Sequence, residues 1–218
     1  MGKLQKGLFG GFTGKVGNYV GYMSKGQMLI RAVPKRNKKR KCSTAQQHQR
    51  AKFAFGQIYL KQLAPLFNIT FANYTKYKSA SNVAFSHMLN DGIAGVYPRF
   101  VMDWPKLLIS KGKLHLPVNI VATAETNKIN FNWLPEVIDG REDMRPTDRS
   151  VLLVICPELQ QSIYTASGAS RIVGAAAIEV ASFAGKEVHT YIAFISEDGK
   201  SASNSVYTGM QKLPKAVR

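Results

Sequence analysis

The first 90 residues contain no aspartate or glutamate, and Asp91 is the first acidic residue of the chain. The same 90 residues contain 16 lysines and arginines, so they hold +16 of the formal net charge of +17. The remaining 128 residues balance 14 basic against 13 acidic side chains. A segment without acidic residues cannot neutralise its own cations, so it is suited to a negatively charged partner.

Cysteine and long apolar runs are also scarce. Cys42 lies in a basic run and Cys156 in an apolar one, which argues against both a disulfide framework and a metal cluster. No apolar run approaches the roughly 18 residues of a membrane helix. The glycine-rich N-terminus is broken by lysines before a secretory apolar stretch forms. We therefore expect no membrane partner and a cytoplasmic location, or a virion location if the protein is phage-encoded.

Recognisable catalytic patterns are missing too. The four histidines are far apart in the sequence, and none follows a metal-ligand spacing. The stretch that ends in Gly14-Lys15 fails as a phosphate-binding loop, because Val16 stands where a magnesium-binding hydroxyl is needed. No G-x-S-x-G pattern is present for a serine hydrolase. We predict that the protein is not an enzyme and needs no cofactor or metal.

One acidic loop leaves an alternative open. Five carboxylates fall within 13 residues: Glu136, Asp139, Glu142, Asp143 and Asp148. Such a loop could hold a hard cation or pair a general acid with a base. However, Arg141, Arg145 and Arg149 are interleaved with them. The simpler interpretation is a solvated connection that its own arginines neutralise.

The N-terminal 33 residues are rich in glycine. Residues 15–33 alternate apolar and polar side chains around Ser24-Lys25-Gly26, which predicts a β-hairpin. A hairpin this short is marginally stable in water, so it has to lie on the rest of the fold, a neighbouring copy or a ligand. Residues 35–41 follow with six positive charges in seven positions, which predicts a solvated arm.

Two helices are predicted after the arm. Ser43 or Thr44 can cap the first, and Pro65 is expected to end it. Gly56 inside this helix predicts a local cost of about 1 kcal/mol. A second, weaker helix is predicted over about residues 79–92.

From about residue 99 the pattern becomes that of β-structure. Strands are predicted at 99–109, 113–123, 128–134, 150–156, 163–165, 175–180, 188–195 and 205–207, separated by turn residues. This spacing is typical of an antiparallel sandwich, and at about 128–210 we predict one of fibronectin-III type with Trp133 in its core. The predicted fold class is α+β. The predicted organisation is a hairpin and basic arm at 1–42, a helical segment at 43–98 and a β-rich domain at 99–218.

Twelve of the 20 phenylalanines and tyrosines also lie in residues 1–90. Cations that displace counterions, together with rings that stack on bases, are typical of a non-specific nucleic-acid surface. Part of this aromatic set is expected to form a core instead. The predicted nucleic-acid-binding residues are Lys35, Arg36, Lys38, Lys39, Arg40, Lys41, Arg50 and Lys52.

Four phrases of the sequence carry a resemblance: GFTGKVGNYVGYMSKGQMLIRAVPK, STAQQHQRAKF, ISKGKL at 109–114 and EVHTYIAFISEDGKSASNSVYTG at 187–209. Together they resemble an uncharacterised bacterial family known only as a domain of unknown function. The opening, with Thr44, Gln47, Arg50 and Phe53, is also similar to small phage virion-cluster proteins. The resemblance implies no reaction and no catalytic residues. It implies that hairpin, basic segment and helix form one recurring unit, and it favours a structural protein that packs in many copies.

Two functions follow as hypotheses. In the first, the protein is a non-enzymatic module whose basic arm contacts nucleic acid or an acidic protein surface. In the second, it is a self-assembling structural protein, such as a virion or filament subunit, whose arm and hairpin dock on neighbouring copies.

Overall fold

The computed structural model of the protein describes residues 3–4, 11–24, 26–35, 41–74, 78–135 and 143–215. The chain divides into two compact units, residues 1–43 and residues 44–218. The first is built of short strands, and the second combines helices with antiparallel sheets. The predicted α+β class is therefore confirmed.

The N-terminal unit contains a four-stranded antiparallel sheet in the order β1-β2-β3-β4. Its strands are Lys3–Leu4, Phe12–Val16, Tyr19–Ser24 and Gln27–Ala32. The sequence predicted one hairpin over 15–33. In the structure an additional turn lies at Gly17-Asn18, so residues 15 and 16 belong to β2 rather than to the first arm of that hairpin. Gly17 has φ +55°, which is a conformation that glycine adopts without steric cost.

The second unit begins with helix α1, Thr44–Thr70, which is followed by helix α2, Ala80–His87, and a π-helical turn at Met88–Gly92. Pro65 was predicted to end α1, and this was wrong, because the helix continues for five residues beyond it. Proline in a helix interior costs about 3 kcal/mol. The neighbouring Leu66 and Phe67 are fully buried, and burial of two such side chains offsets that cost.

Gly56 is a packing site between the two helices. A Cβ atom on Gly56 would lie 2.7 Å from Cε2 of Phe85 on α2 and 3.2 Å from Cδ1 of Ile93. The predicted interpretation of Gly56 as a helix defect was incomplete, because its missing side chain lets α2 approach α1 closely.

Nine further strands complete the second unit. They are β5 Ile93–Val96, β6 Arg99–Met102, β7 Val121–Ala124, β8 Lys128–Asn132, β9 Arg149–Cys156, β10 Gln161–Thr165, β11 Ala175–Glu179, β12 Glu187–Ile195 and β13 Val206–Lys212. β5 and β6 pair as a hairpin, β11-β8-β7 form a three-stranded sheet, and β10-β9-β12-β13 form a four-stranded sheet. All described strand pairs are antiparallel.

The four-stranded sheet is covered on both faces. Along β9, the side chains of Val151, Leu153 and Ile155 pack in the cluster that contains the helices. The alternate side chains, Leu152 and Val154, pack in the cluster that contains the three-stranded sheet. Both β9 and β12 are therefore buried almost along their full length, and the second unit has three layers rather than two.

The predicted strands from residue 128 onward coincide with β8 to β13, although β13 extends to residue 212. Trp133 is buried, with its ring edge-on to Phe194 on β12. The predicted strands 99–109 and 113–123 were too long, because the observed strands are 99–102 and 121–124. Each contains a proline, Pro105 or Pro117, which cannot donate to a sheet ladder.

A buried ion pair connects the loops at one end of the second unit. Asp148 and Arg171 are both fully buried, with Asp148 Oδ2 lying 3.2 Å from Arg171 Nη2 and 3.3 Å from Nε. The backbone amide of Arg145 donates to the same oxygen, and Arg171 Nη2 donates to the carbonyl of His115 at 2.6 Å. The guanidinium also lies 4.8 Å above the ring of Phe194. Burial lowers the pKa of Arg171 and the charge of Asp148 opposes that shift.

The solvated interpretation of the acidic loop is therefore wrong for Asp148. Its charged partner is Arg171, 23 residues further along the chain, whereas the interleaved Arg145 contributes its backbone amide. Glu136, Asp139 and Glu142 lie outside the described residues.

We expect Arg171→Met to lower the free energy of unfolding by about 3–5 kcal/mol, because it leaves the Asp148 carboxylate buried without its charged partner. The double variant Asp148→Asn/Arg171→Met should be less destabilised than Arg171→Met alone, since no buried charge remains. Urea denaturation measures both. The control is Lys200→Met, which breaks an exposed pair with Asp198 at 3.9 Å and should cost less than about 1 kcal/mol. Equal costs for R171M and K200M would contradict a stabilising role for the buried pair.

Candidate functional site

The strand register of the N-terminal unit sorts its side chains onto two faces. Lys15 on β2 lies opposite Val20 on β3, which in turn lies opposite Arg31 on β4. Side chains directly opposite each other in antiparallel strands share a face of the sheet. Lys15 and Arg31 therefore flank Val20 on one face, with their Cα atoms about 10 Å apart from the strand spacing.

An aromatic ring belongs to the same face. Tyr22 follows Val20 by two positions on β3 and lies opposite Leu29. The Arg31 guanidinium carbon lies 5.5 Å from the centre of the Tyr22 ring, which is within cation–π range. Lys15, Tyr22 and Arg31 are all exposed. We call these three residues, together with Val20 and Leu29, the basic face.

The opposite face of the sheet is apolar. Val16 lies opposite Tyr19, which lies opposite Ala32, and Met23, four positions after Tyr19, lies opposite Met28. Ile30 completes this set, which contains no charged residue. Tyr19 and Ile30 are 57% and 59% exposed, so the set is open to solvent rather than packed as a core. We call these six residues the apolar face.

The eight predicted nucleic-acid-binding residues are divided between the two units. Lys35 and Lys41 belong to the N-terminal unit and are exposed. Arg36, Lys38, Lys39 and Arg40 lie outside the described residues. Arg50 and Lys52 lie on α1 in the second unit, where Arg50 is exposed and Lys52 is partly buried.

Lys15, Tyr22 and Arg31 were missed as site residues by sequence reasoning. The signal that could have found them is the Gly17-Asn18 turn, because a hairpin at that turn places Lys15 opposite Val20. The predicted alternation instead ran through the turn and placed Val16, Val20 and Tyr22 together. In the sheet, Val16 lies on the apolar face and the other two lie on the basic face.

The described histidines occupy different surroundings. His48 packs edge-on to Phe100, and His87 lies 3.1 Å from Lys111 Nζ. His189 is buried on β12, where it stacks on Trp104 at a centroid distance of 4.3 Å. Its Nδ1 lies 2.8 Å from the Tyr207 hydroxyl. In the described part of the chain, no three His, Cys, Asp or Glu side chains are grouped to hold a metal ion.

His189 also lines a cavity of about 260 Å³ at one end of the four-stranded sheet, together with Glu158, Glu187 and Lys212. Burial lowers the pKa of His189 from 6.5 to about 4, and the nearby charge of Glu187 opposes the shift. The imidazole is therefore neutral at physiological pH. It can donate or accept a hydrogen bond in this cavity, and its ring is held by Trp104 and Tyr207.

The comparisons with known proteins now identify the family. A model of a family of unknown function, DUF6266, matches residues 11–209, so the chain belongs to this family. The match includes strands β2 to β4 of the N-terminal unit and nearly all of the second unit, and it confirms the resemblance to a domain of unknown function. The similarity to phage virion-cluster proteins remains an expectation. No curated protein matches the chain.

Among the helices of the described residues, none has the length and apolar character that crossing a membrane requires. Helix α1 is the longest of these at 27 residues, but it carries lysine, arginine and glutamine along its length.

We expect His189 to make stability depend on pH. The unfolded chain takes up a proton at this residue near pH 6.5, and the folded chain does so near pH 4. The unfolded state therefore binds more protons between these values, and stability is lost as pH falls from about 6.5 to about 4. The full difference corresponds to at most about 3 kcal/mol.

Urea denaturation of the wild type and His189→Gln from pH 4 to pH 8 measures this contribution. The difference between the two curves should change by up to about 3 kcal/mol below pH 6.5 and be constant above it. A pH-independent difference would show that His189 is not the titrating group.

Proposed function

We propose that the N-terminal unit binds nucleic acid or a similar polyanion through the basic face and the arm at 35–41. The observation that carries this proposal is that the exposed Lys15 and Arg31 flank Val20 beside Tyr22, in a unit with 11 cations and no carboxylate. No partner within that unit can neutralise these cations. A polyanion releases counterions when cations of this kind contact its phosphates, which favours binding at physiological salt.

The geometry of the basic face supports contact with the nucleic-acid backbone rather than base-specific recognition. Lysine binds phosphate as a point charge, and arginine binds it with two donors. Tyr22 offers a ring for stacking on an unpaired base, an interaction that tolerates any sequence. A side-chain set of this kind is suited to non-specific binding.

The second unit would serve as the scaffold of this non-enzymatic module. Seven strands, divided three and four between two antiparallel sheets with Trp133 buried between them, support a fibronectin-III-like sandwich. The helices cover the outer face of its larger sheet.

We expect Lys15→Gln/Arg31→Gln to weaken binding to a 20-base-pair duplex and to reduce the slope of log K against log salt by about 2, since two phosphate contacts are lost. Replacing the six cations of residues 35–41 with glutamine should reduce the slope by about 5. Fluorescence anisotropy from 50 to 300 mM salt measures both.

The matched control is Lys128→Gln/Lys200→Gln, which removes two lysines of the second unit that pair with Glu125 and Asp198. This variant should bind like the wild type. The proposal is overturned if neutralising residues 15, 31 and 35–41 together leaves the affinity unchanged.

The apolar face favours self-assembly as a second candidate function. Its exposed side chains carry no charge, so a second copy of the same face fits it without burying a cation. Two sheets packed about 10 Å apart would hold their basic faces on the outside, about 20 Å from each other. That separation exceeds the Debye length of about 8 Å at physiological salt, so repulsion between the faces is largely screened.

We expect the nuclease-treated wild type to self-associate weakly, because six residues a side are far fewer than the roughly 20–30 of a standard interface. Tyr19→Thr/Ile30→Thr should abolish this association in analytical ultracentrifugation. The control Tyr22→Thr/Leu29→Thr changes the opposite face of the same two strands and should leave it intact. A monomeric wild type at high concentration would exclude this function.

A further inference from the structure

We propose that a small cleft in the second unit binds a phosphate group, either as inorganic phosphate or at the end of a phosphomonoester. The cleft has a volume of about 180 Å³ and is lined by Asn73, Tyr74, Gly112, Lys113 and Ser201. Sites for drug-sized ligands are larger, at about 300–1,000 Å³, so this cleft suits a single small group. Its side chains can donate hydrogen bonds from an ammonium, an amide and two hydroxyls.

The chemistry of this cleft differs from that of three other cavities. Those cavities each contain two carboxylates in their lining: Glu158 and Glu187, Glu125 and Glu179, and Glu197 and Asp198. Among the described residues, the lining of the cleft contains lysine and no carboxylate. The other three linings each also contain one cation, Lys212, Lys128 or Arg145, so their two carboxylates leave them with a net negative charge. An anion is therefore favoured in the cleft over the other three cavities.

A second lysine lies next to Tyr74, one of the residues that line the cleft. Lys111 Nζ lies 5.5 Å from the centre of the Tyr74 ring and 3.1 Å from His87 Nε2. An ammonium group can only donate, so Nε2 of His87 accepts this hydrogen bond. The contact with His87 thus holds Lys111 beside Tyr74.

Among the described residues, no carboxylate oxygen lies within 4 Å of the ammonium nitrogen of Lys111 or Lys113. Lys111 uses one of its three N–H donors on His87, and the others are available to a ligand. The Lys113 ammonium in the lining, with the Lys111 ammonium beside Tyr74, suits a group that offers three acceptor oxygens.

Hydrogen bonds join the loop that carries Lys113 to the loop that carries Ser201. Ser110 Oγ donates to the Ser203 carbonyl at 2.7 Å, and the amide of Gly112 donates to Asn204 Oδ1 at 3.2 Å. The amide of Leu114 donates to the Ala202 carbonyl at 3.0 Å. A Cβ atom on Gly112 would lie 1.7 Å from that carbonyl oxygen, so the close approach of the two loops requires glycine here.

The hydrogen bonds between these loops bring two stretches of the sequence together. ISKGKL at 109–114 and the SASNS stretch at 201–205 form the two sides of one junction. The junction fixes the backbone that carries Lys113 and Ser201, which lowers the conformational entropy lost when a ligand binds. The proposal is independent of nucleic-acid binding by the N-terminal unit.

Isothermal titration calorimetry with the full chain tests the cleft. The probes are inorganic phosphate and ribose 5-phosphate, with ribose as the control that lacks the phosphate. We expect saturable binding of a phosphate-containing probe and none of ribose. Binding of inorganic phosphate alone would identify the free ion as the ligand, and tighter binding of ribose 5-phosphate would identify a phosphomonoester.

Lys111→Met/Lys113→Met should raise the dissociation constant for phosphate at least tenfold. Lys113→Arg keeps the positive charge, so it should retain most of the affinity that Lys113→Met loses. Lys128→Met is the matched surface control and should bind like the wild type. Absence of saturable phosphate binding to the wild type, or equal affinity of the double variant, would overturn the proposal.

A variant with Lys15→Gln/Arg31→Gln separates this site from the basic face. It should keep its affinity for the phosphate probes, and Lys111→Met/Lys113→Met should keep its affinity for duplex DNA. Loss of phosphate binding in K15Q/R31Q would assign the anion to the basic face and reject the cleft.

Discussion

The buried pair of Asp148 and Arg171 is the interaction on which the arrangement of the second unit depends most. Two charges without solvent contact are destabilising unless they meet each other and further polar groups. Here the pair joins the loop before β9, the turn at Arg171–Val173 and the segment that contains His115. Trp133 Nε1 also donates to the Arg171 carbonyl at 2.8 Å, which connects the pair to the core between the two sheets.

The four-stranded sheet of the second unit has both faces covered. β9 and β12 lie between the helices and the second sheet, so most of their side chains serve packing. His189, near the start of β12, lines one cavity, whereas Lys113 and Ser201 line another from loops.

Much of this architecture could be predicted from the sequence. Hydrophobic periodicity and turn residues are local patterns, and they predicted the α+β class, the strands from residue 128 onward and the burial of Trp133. Pro65 misled the prediction because tertiary burial of Leu66 and Phe67 outweighs a local helix penalty. Asp148 misled it because the interleaved arginines are close in sequence, whereas its partner is 23 residues away.

The basic face illustrates a different limit. The grouping of its residues depends on the register of the strands. Because the prediction overlooked the turn at Gly17-Asn18, it placed Val16 on the same face as Val20 and Tyr22. Charge counting found the segment but could not distinguish Lys15 and Arg31 from the lysines of the arm. Register distinguishes them, because it places both beside Tyr22.

The charge of the N-terminal unit also bears on its stability. Among its described residues, no large apolar side chain is buried, and 11 cations without a carboxylate repel one another. A unit of this kind gains little from its own core, so a ligand that binds only its folded form stabilises it by an amount that grows with ligand concentration. Under the proposed function, a polyanion removes the repulsion at the basic face and favours the strand register that creates that face. Folding and binding of this unit would then be linked, which gives a physical reason for a sheet so small to carry so much charge of one sign.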